Sequence, residues 1–213
     1  MSSKGPIEKS DAKYNILAFG DSLTEGFYDS GFRFHPYSIK LNELLASSGY
    51  SAKVFERGNS GERVVGGMDR RLPALLQHFE RNGIKLSWVL ILGGINDLGY
   101  GADPDAVHAG LLSLYAACQQ HGARVLAMTC LQTGGSLGDV HDDRTKLNEL
   151  IRGTPAAHDY VEVLDLDPLL PFPRSRADTQ TAALWDDYLH LTPAGYDTVG
   201  QIVYDRLRSK LEK

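Results

Sequence analysis

The chain has only two cysteines in its 213 residues, Cys118 and Cys130. Two are too few for a disulfide framework. Neither stands in a CxxC pair or a His-rich neighbourhood, so both read as reduced, buried thiols rather than as metal ligands or a nucleophile. A surplus of positive charge is also missing: 22 Lys and Arg against 27 Asp and Glu leave a formal net charge of -5. A grip on nucleic acid or on an anionic membrane needs the opposite sign. No apolar run reaches the length of a membrane span, and the opening stretch MSSKGPIEKSDAK lacks the apolar core of a secretion signal. These absences predict a soluble, cytoplasmic protein with no nucleic-acid partner and no stable membrane association. They leave residues 1–13 as a flexible N-terminal arm. There is no internal repeat, which excludes a solenoid, and no composition shift marks a linker. The expectation is one domain spanning residues 1–213 with one sizeable core. No heptad or strongly apolar helix face specifies an oligomeric state.

What the chain does contain is an alternation of two kinds of segment. Short apolar, β-branched runs recur at residues 15–19, 52–55, 88–92, 124–129 and 160–166. Their continuous apolarity, in place of strict alternation, fits strands covered on both faces, as in a parallel sheet. Segments with helical spacing lie between them. In YSIKLNELLASSG, Ile39, Leu41, Leu44 and Leu45 share a face and Gly49 ends the helix. Asp103 followed by Pro104, and Thr192 followed by Pro193, are cap and first-turn signals for two further helices. The last helix docks through Ile202, Val203 and Leu207. The β-α-β-α order predicts an α/β protein, a three-layer α/β/α sandwich around a mostly parallel five-stranded sheet. Only residues 167–186 read as a long irregular segment, a kind of loop that often carries function.

In open α/β sheets ligands bind beyond the carboxyl ends of the strands. That rule selects Ser22 after the first strand, Gly61 after the second and Asn96 after the third. Asp187 and His190 lie on the approach to the last helix. Ser22, in AFGDSLTEG, has two readings: Ser and Asp at a strand end cap the following helix, or the hydroxyl is a nucleophile, which requires a base. WDDYLHLTPAGYD supplies an imidazole and a carboxylate, His190 and Asp187, three residues apart and able to point the same way in a turn. A carboxylate that fixes the tautomer of an imidazole makes it a competent base for serine. Acyl transfer also needs donors for an oxyanion. Gly61, in the Gly-rich turn RGNSGERVVGG, offers a backbone N–H at close approach, and Asn96 in LGGINDLGYG offers a side-chain amide.

Four blocks, FGDSLTEG, GNSGERVVGG, LGGIND and DYLH, stand in order between residues 19 and 190. In them the chain resembles the SGNH, or GDSL-type, serine hydrolases, a family of esterases and lipases. The resemblance implies the flavodoxin-like SGNH hydrolase fold, with Ser22 as nucleophile, His190 as base and then acid, and Asp187 as orienting carboxylate. It further implies an oxyanion hole of the Ser22 amide, the Gly61 amide and the Asn96 side chain, with no metal and no organic cofactor. Gly61 is the second-block glycine on the small-Gly-acidic pattern, with Gly58 as the other choice. Asp186 replaces Asp187 only if the loop register differs. Asp21 is expected to shape the turn before Ser22, and Asp97 to support Asn96. Arg63 has two readings, a contact for a substrate carboxylate or a salt bridge within the domain. The remaining histidines read as surface or packing residues.

The resemblance allows acetyl esters of sugars, small alcohol esters, aryl esters, lysophospholipids and thioesters as the small-molecule partner. Phe27, Tyr28, Leu137, Phe172 and Trp185 are candidate pocket walls, or core anchors beneath loops. With no long apolar helix resembling a lipid-interface lid, the expectation is a small ester with a short acyl chain. An acyltransferase would use the same site. Two other classes compete. One is a metal-dependent phosphoesterase holding Mg²⁺ between Asp21, Asp187, Asn96 and His190, although no second carboxylate stands two residues beyond Asp21 and there is no Walker lysine loop. The other is a silent binding domain on a hydrolase fold.

Overall fold

The computed structural model describes residues 9–134, 139–173, 175 and 177–212. Its centre is a five-stranded, wholly parallel sheet of β1 (Tyr14–Gly20), β2 (Ala52–Gly58), β3 (Leu86–Leu92), β4 (Arg124–Met128) and β5 (Val161–Leu164). The strands lie in the order β2-β1-β3-β4-β5. Five longer helices connect or follow them: α1 (Ser38–Ser47), α2 (Asp69–Arg81), α3 (Pro104–Gln120), α4 (Asp139–Gly153) and α5 (Pro193–Leu207).

Continuous apolarity in the strands follows from burial of both faces. Successive side chains point to opposite sides of a sheet. Leu17, Phe19, Val89, Ile91, Val125 and Ala127 therefore enter one core, packed by Leu72 and Leu76 of α2, Leu111 and Leu114 of α3, and Leu147 of α4. Ile16, Ala18, Trp88, Leu90, Leu126 and Met128 enter the opposite core, under Leu41 and Leu45 of α1 and Tyr196, Val199 and Val203 of α5. The result is the three-layer sandwich. The chain leaves β1 for the β2 edge and then crosses to β3 on the other side of β1, so the strand order reverses between β1 and β3. A crevice at such a reversal is where open α/β sheets place their ligands.

The local signals act as their chemistry requires. The Asp103 carboxylate accepts from the Asp105 N–H at 3.2 Å and opens α3. The Thr192 hydroxyl accepts from the Gly195 N–H at 3.3 Å and opens α5. Cys118 and Cys130 are buried and unpaired. Burial pushes both thiols up to about 12. Among the described residues no helix is long and apolar enough to cross a membrane.

Three features differ from the sequence reading. Ile39 is exposed at 42%, because the apolar face that α1 turns to the sheet and α5 is centred on Leu41 and Leu45. The stretch 167–186 is not wholly irregular: the short helix Leu166–Leu169 runs into it and Thr179–Ala182 forms a turn of helix inside it. A small antiparallel ribbon, Phe27–Tyr28 against Arg33–Phe34, stands apart from the main sheet. Its tip holds Asp29 and Ser30 at positive φ, 53° and 55°, a conformation that costs a non-glycine residue energy and is found where the surroundings enforce it. Of the expected N-terminal arm, residues 1–8 lie outside the described residues.

Candidate active site

β1 ends at Gly20 and the chain turns directly into a short helix, Ser22–Glu25. The cap of that helix is Asp21, whose Oδ1 accepts from the Leu23 N–H at 3.0 Å. Capping is therefore done by the neighbour, and the Ser22 hydroxyl is engaged elsewhere: Ser22 Oγ lies 3.0 Å from His190 Nε2. On the far side of the ring, His190 Nδ1 lies 2.8 Å from Asp187 Oδ2. A carboxylate can only accept from Nδ1, which places the ring proton there and leaves Nε2 to accept from the serine hydroxyl.

The three-residue spacing of Asp187 and His190 has a local cause. Asp187 Oδ1 accepts from the backbone N–H groups of Leu189 at 2.7 Å and of His190 at 2.6 Å, which folds the loop about the carboxylate. One carboxylate thus shapes the loop with one oxygen and holds the imidazole with the other. Burial pushes the Asp187 carboxyl upward, but the hydrogen bonds from the His190 amide, the His190 ring and the Leu189 amide outweigh it. The carboxyl is held below its ordinary range and stays ionised. Asp186 points away, and its Oδ2 accepts from the Asp29 N–H at 2.8 Å, pinning the ribbon to this loop. From the ribbon, the Phe27 ring lies 4.4 Å from the His190 imidazole, tilted by 36°. The Tyr196 hydroxyl donates to the Phe27 carbonyl at 2.7 Å and holds that ring's backbone in place.

The two candidate glycines of the second block, Gly58 and Gly61, occupy different environments. A Cβ on Gly58 would lie 2.2 Å from the Glu25 N, so Gly58 allows β2 to pack against the Ser22–Glu25 helix. Gly61 has φ of 74° in an exposed turn, and a Cβ there would meet nothing within 4 Å. Its surroundings are open, as a backbone donor to a ligand requires. The turn is tethered by Glu25, whose Oε2 accepts from the Ser60 N–H at 2.8 Å and the Ser60 hydroxyl at 2.6 Å. Asn96 begins the first turn after β3, in the helix Ile95–Gly99. Its Nδ2 donates to the Glu62 carbonyl at 3.0 Å and makes a long contact of 3.4 Å to Asp21 Oδ2. The long contact is the one an incoming acceptor could displace.

Asp21 is fully buried, and burial pushes its carboxyl up to about 7. Asp97 does not touch the Asn96 amide. Instead it accepts from the Val64 N–H at 2.7 Å and the Val65 N–H at 3.0 Å, so it fixes the second half of the second block. Burial raises its carboxyl as well. Arg63 makes no ion pair among the described residues. It is exposed and lays its guanidinium over the Tyr100 ring, 5.3 Å from the centroid.

Of the pocket candidates, Phe27 meets the imidazole. Tyr28 is half-buried in the ribbon opposite Arg33. Phe172 and Trp185 pack edge to face at 4.9 Å. Trp185 is buried in the core, with its Nε1 donating to the Pro171 carbonyl at 3.1 Å, so it is a core anchor. Leu137 lies outside the described residues. The sequence reading missed Glu25, Glu62 and Arg71, all charged residues whose tertiary partners have no local signature. Among the described residues no group of three or more His, Cys, Asp or Glu is placed to hold a metal ion.

Solved structures share this fold over nearly the whole chain. A lipase/acylhydrolase from Enterococcus faecalis is 20% identical with a TM-score of 0.72, covering 93% of this chain and 97% of its own. A carbohydrate acetylesterase family member from Sinorhizobium meliloti is 18% identical with a TM-score of 0.72, covering 92% and 98%. An inhibitor-bound aryl esterase from M. smegmatis is 19% identical with a TM-score of 0.68, covering 93% and 100%. Among curated proteins none matches the chain in sequence. The family model of the GDSL-like Lipase/Acylhydrolase family matches residues 18–198, from the end of β1 into α5 and across all four sequence blocks. The chain therefore belongs to the GDSL-like lipase/acylhydrolase family and is a carboxylic ester hydrolase.

Proposed function

We propose that this enzyme hydrolyses small carboxylic esters with short acyl chains through a Ser22-His190-Asp187 triad and an acyl-enzyme intermediate. The observation that carries the reading is His190, which spans Ser22 at 3.0 Å and Asp187 at 2.8 Å across 168 residues of sequence. Ser22 Oγ attacks the ester carbonyl as Nε2 takes its proton, and the ionised Asp187 stabilises the imidazolium that forms. The carbonyl oxygen, now negative, accepts from the Ser22 amide, the Gly61 amide and Asn96 Nδ2. Collapse breaks the bond to the alcohol oxygen, which receives the proton from Nε2. Water, deprotonated by the same nitrogen, then attacks the acyl carbon and releases the acid and Ser22. An acyltransferase would differ only in the acceptor that replaces water.

The short-chain preference rests on the site's walls. Phe27 closes the side of the imidazole, while Trp185 is committed to the core and Phe172 to Trp185 and the backbone at Gly134. Initial rates on p-nitrophenyl acetate, butyrate and octanoate, with and without chelator, test the reading. Acetate and butyrate are expected to be the better substrates, chelator to have no effect, and Ser22→Ala to lose about 10⁴-fold or more in kcat. Turnover that survives in folded Ser22→Ala and disappears with chelator would replace it with metal-dependent chemistry around Asp21. A preference for octanoate would overturn the acyl-chain assignment.

A further inference from the structure

The guanidinium of Arg71, on α2, sits at the carboxyl end of the sheet and draws together segments far apart in sequence. Its Nε donates to both carboxylate oxygens of Glu62 at 2.8 Å, and its Nη2 also meets Glu62 Oε2. Nη1 donates to the Arg57 carbonyl at 2.9 Å and Nη2 to the Gly20 carbonyl at 3.0 Å. Its Cζ lies over the Phe19 ring, 4.2 Å from the centroid. Gly20 is the last residue of β1, next to Asp21 and Ser22. Arg57 lies near the end of β2, before the Gly61 turn. Glu62 directly follows Gly61, its side chain is only 8% exposed, and its carbonyl accepts from Asn96 Nδ2 at 3.0 Å. One guanidinium therefore joins the nucleophile turn, the Gly61 turn and, through the Glu62 backbone, the Asn96 amide.

We propose that Arg71 is a positioning residue for the oxyanion hole: by gripping the Glu62 carboxylate and the ends of β1 and β2, it sets where the Gly61 N–H and the Asn96 amide stand relative to Ser22. The inference rests on the proposed Ser22 mechanism and goes beyond it, because Arg71 touches no reacting atom. Hydrogen bonding decides the assignment. An amide nitrogen has two protons; with one fixed on the Glu62 carbonyl, the direction of the other follows from where that carbonyl is held. The carbonyl belongs to a residue whose carboxylate is clamped by a planar fork, a geometry that a lysine ammonium cannot reproduce. A residue that only tied α2 to the sheet would need the Gly20 and Arg57 carbonyls but not the Glu62 carboxylate, which lies outside the sheet.

The test is a double-mutant cycle between Arg71→Lys and Asn96→Ala, with kcat expressed per active site titrated by a serine-directed fluorophosphonate. In the native background Arg71→Lys is expected to lower kcat about tenfold with KM within about twofold, a loss confined to the transition state. In the Asn96→Ala background the same substitution is expected to lower kcat by about twofold or less, because residues that act through one another are not additive. Glu62→Gln, which keeps the side-chain length and the backbone carbonyl, is expected to show the same non-additivity and carries the test if Arg71→Lys does not fold. Unchanged kcat per titrated site in Arg71→Lys or Glu62→Gln, or full losses that multiply with Asn96→Ala, would reduce Arg71 to a structural tie. Failure of the underlying mechanism is separately visible, since it would appear as retained activity in Ser22→Ala.

Discussion

Replacing Asp187 by Asn separates the two tasks of that carboxylate. The Asn Oδ1 can keep both loop hydrogen bonds, from the Leu189 N–H and the His190 N–H, at their present 2.7 and 2.6 Å. The loop should therefore hold its shape. The amide NH₂ takes the place of Oδ2, 2.8 Å from His190 Nδ1. Two donors cannot face one another, so Nδ1 must become the acceptor and the ring proton must move to Nε2. That nitrogen lies 3.0 Å from Ser22 Oγ, and an N–H there donates to the serine when it should accept from it. The imidazolium of the transition state also loses its counter-charge. By analogy with Ser-His-Asp enzymes the expected loss is about 10⁴-fold in kcat, or about 5.5 kcal/mol of barrier. The assay is p-nitrophenyl acetate turnover by purified Asp187→Asn, with a thermal melt to establish folding. Asp186→Asn is the control. Its amide oxygen still accepts from the Asp29 N–H, so kcat should stay within about twofold, the scale of a surface substitution. A loss under tenfold in folded Asp187→Asn, or an equal loss in Asp186→Asn, would refute the assignment of the orienting carboxylate.

Asn96→Ala removes a side-chain donor while leaving the Ile95–Gly99 turn intact, and should lower kcat by about 10²- to 10³-fold; a change in KM with kcat preserved would place Asn96 in ground-state binding instead. Stability should carry the mark of Asp21, whose carboxyl is raised from 3.8 to about 7 by burial. Between these values the folded state binds a proton that the unfolded state has released, so stability should fall as pH rises from about 4 to about 7 and level off above. Urea unfolding of the native protein and Asp21→Asn across that window isolates the effect, because the substitution removes the titrating group. A native-minus-variant difference that is flat or rises with pH would contradict it. Asp187 does not interfere, since its lowered carboxyl titrates below the window.

Strand ends were legible because two local rules coincide there. Burial on both faces makes each strand a continuous apolar run, and each run stops where polar and glycine residues begin, so Ser22, the Gly61 turn and Asn96 could be placed at one edge before any contact was known. Their convergence then follows from the order β2-β1-β3, which makes those three strand ends neighbours. The Asp187-His190 pair was legible for another reason, as its spacing is that of a side chain capping its own loop.

Choices between equivalent chemistries were not legible. Asp21 and Ser22 are both good capping residues, so local chemistry leaves them equivalent; the family blocks single out Ser22, and the position of His190, 168 residues away, shows that side chain facing the imidazole. Trp185 could have lined a pocket or filled the core, and the Pro171 carbonyl decides it. Ile39 fits a helical face by spacing, yet the surface that α1 buries is set by where α5 lies. Arg71 and Glu62 resemble the solvated face of any amphipathic helix and turn, and their role depends on a sheet end that the local sequence does not encode. The ribbon is the sharpest case. Its strands are two residues long, below any periodicity, and its tip adopts positive φ without glycine at Asp29 and Ser30. What holds it is tertiary: Asp186 on the Asp29 N–H, the Tyr196 hydroxyl on the Phe27 carbonyl, and the Phe27 ring against His190. Two of these contacts, from Asp29 and Phe27, brace the loop that carries Asp187 and His190, so the element least visible in the sequence helps to fix the imidazole that faces Ser22.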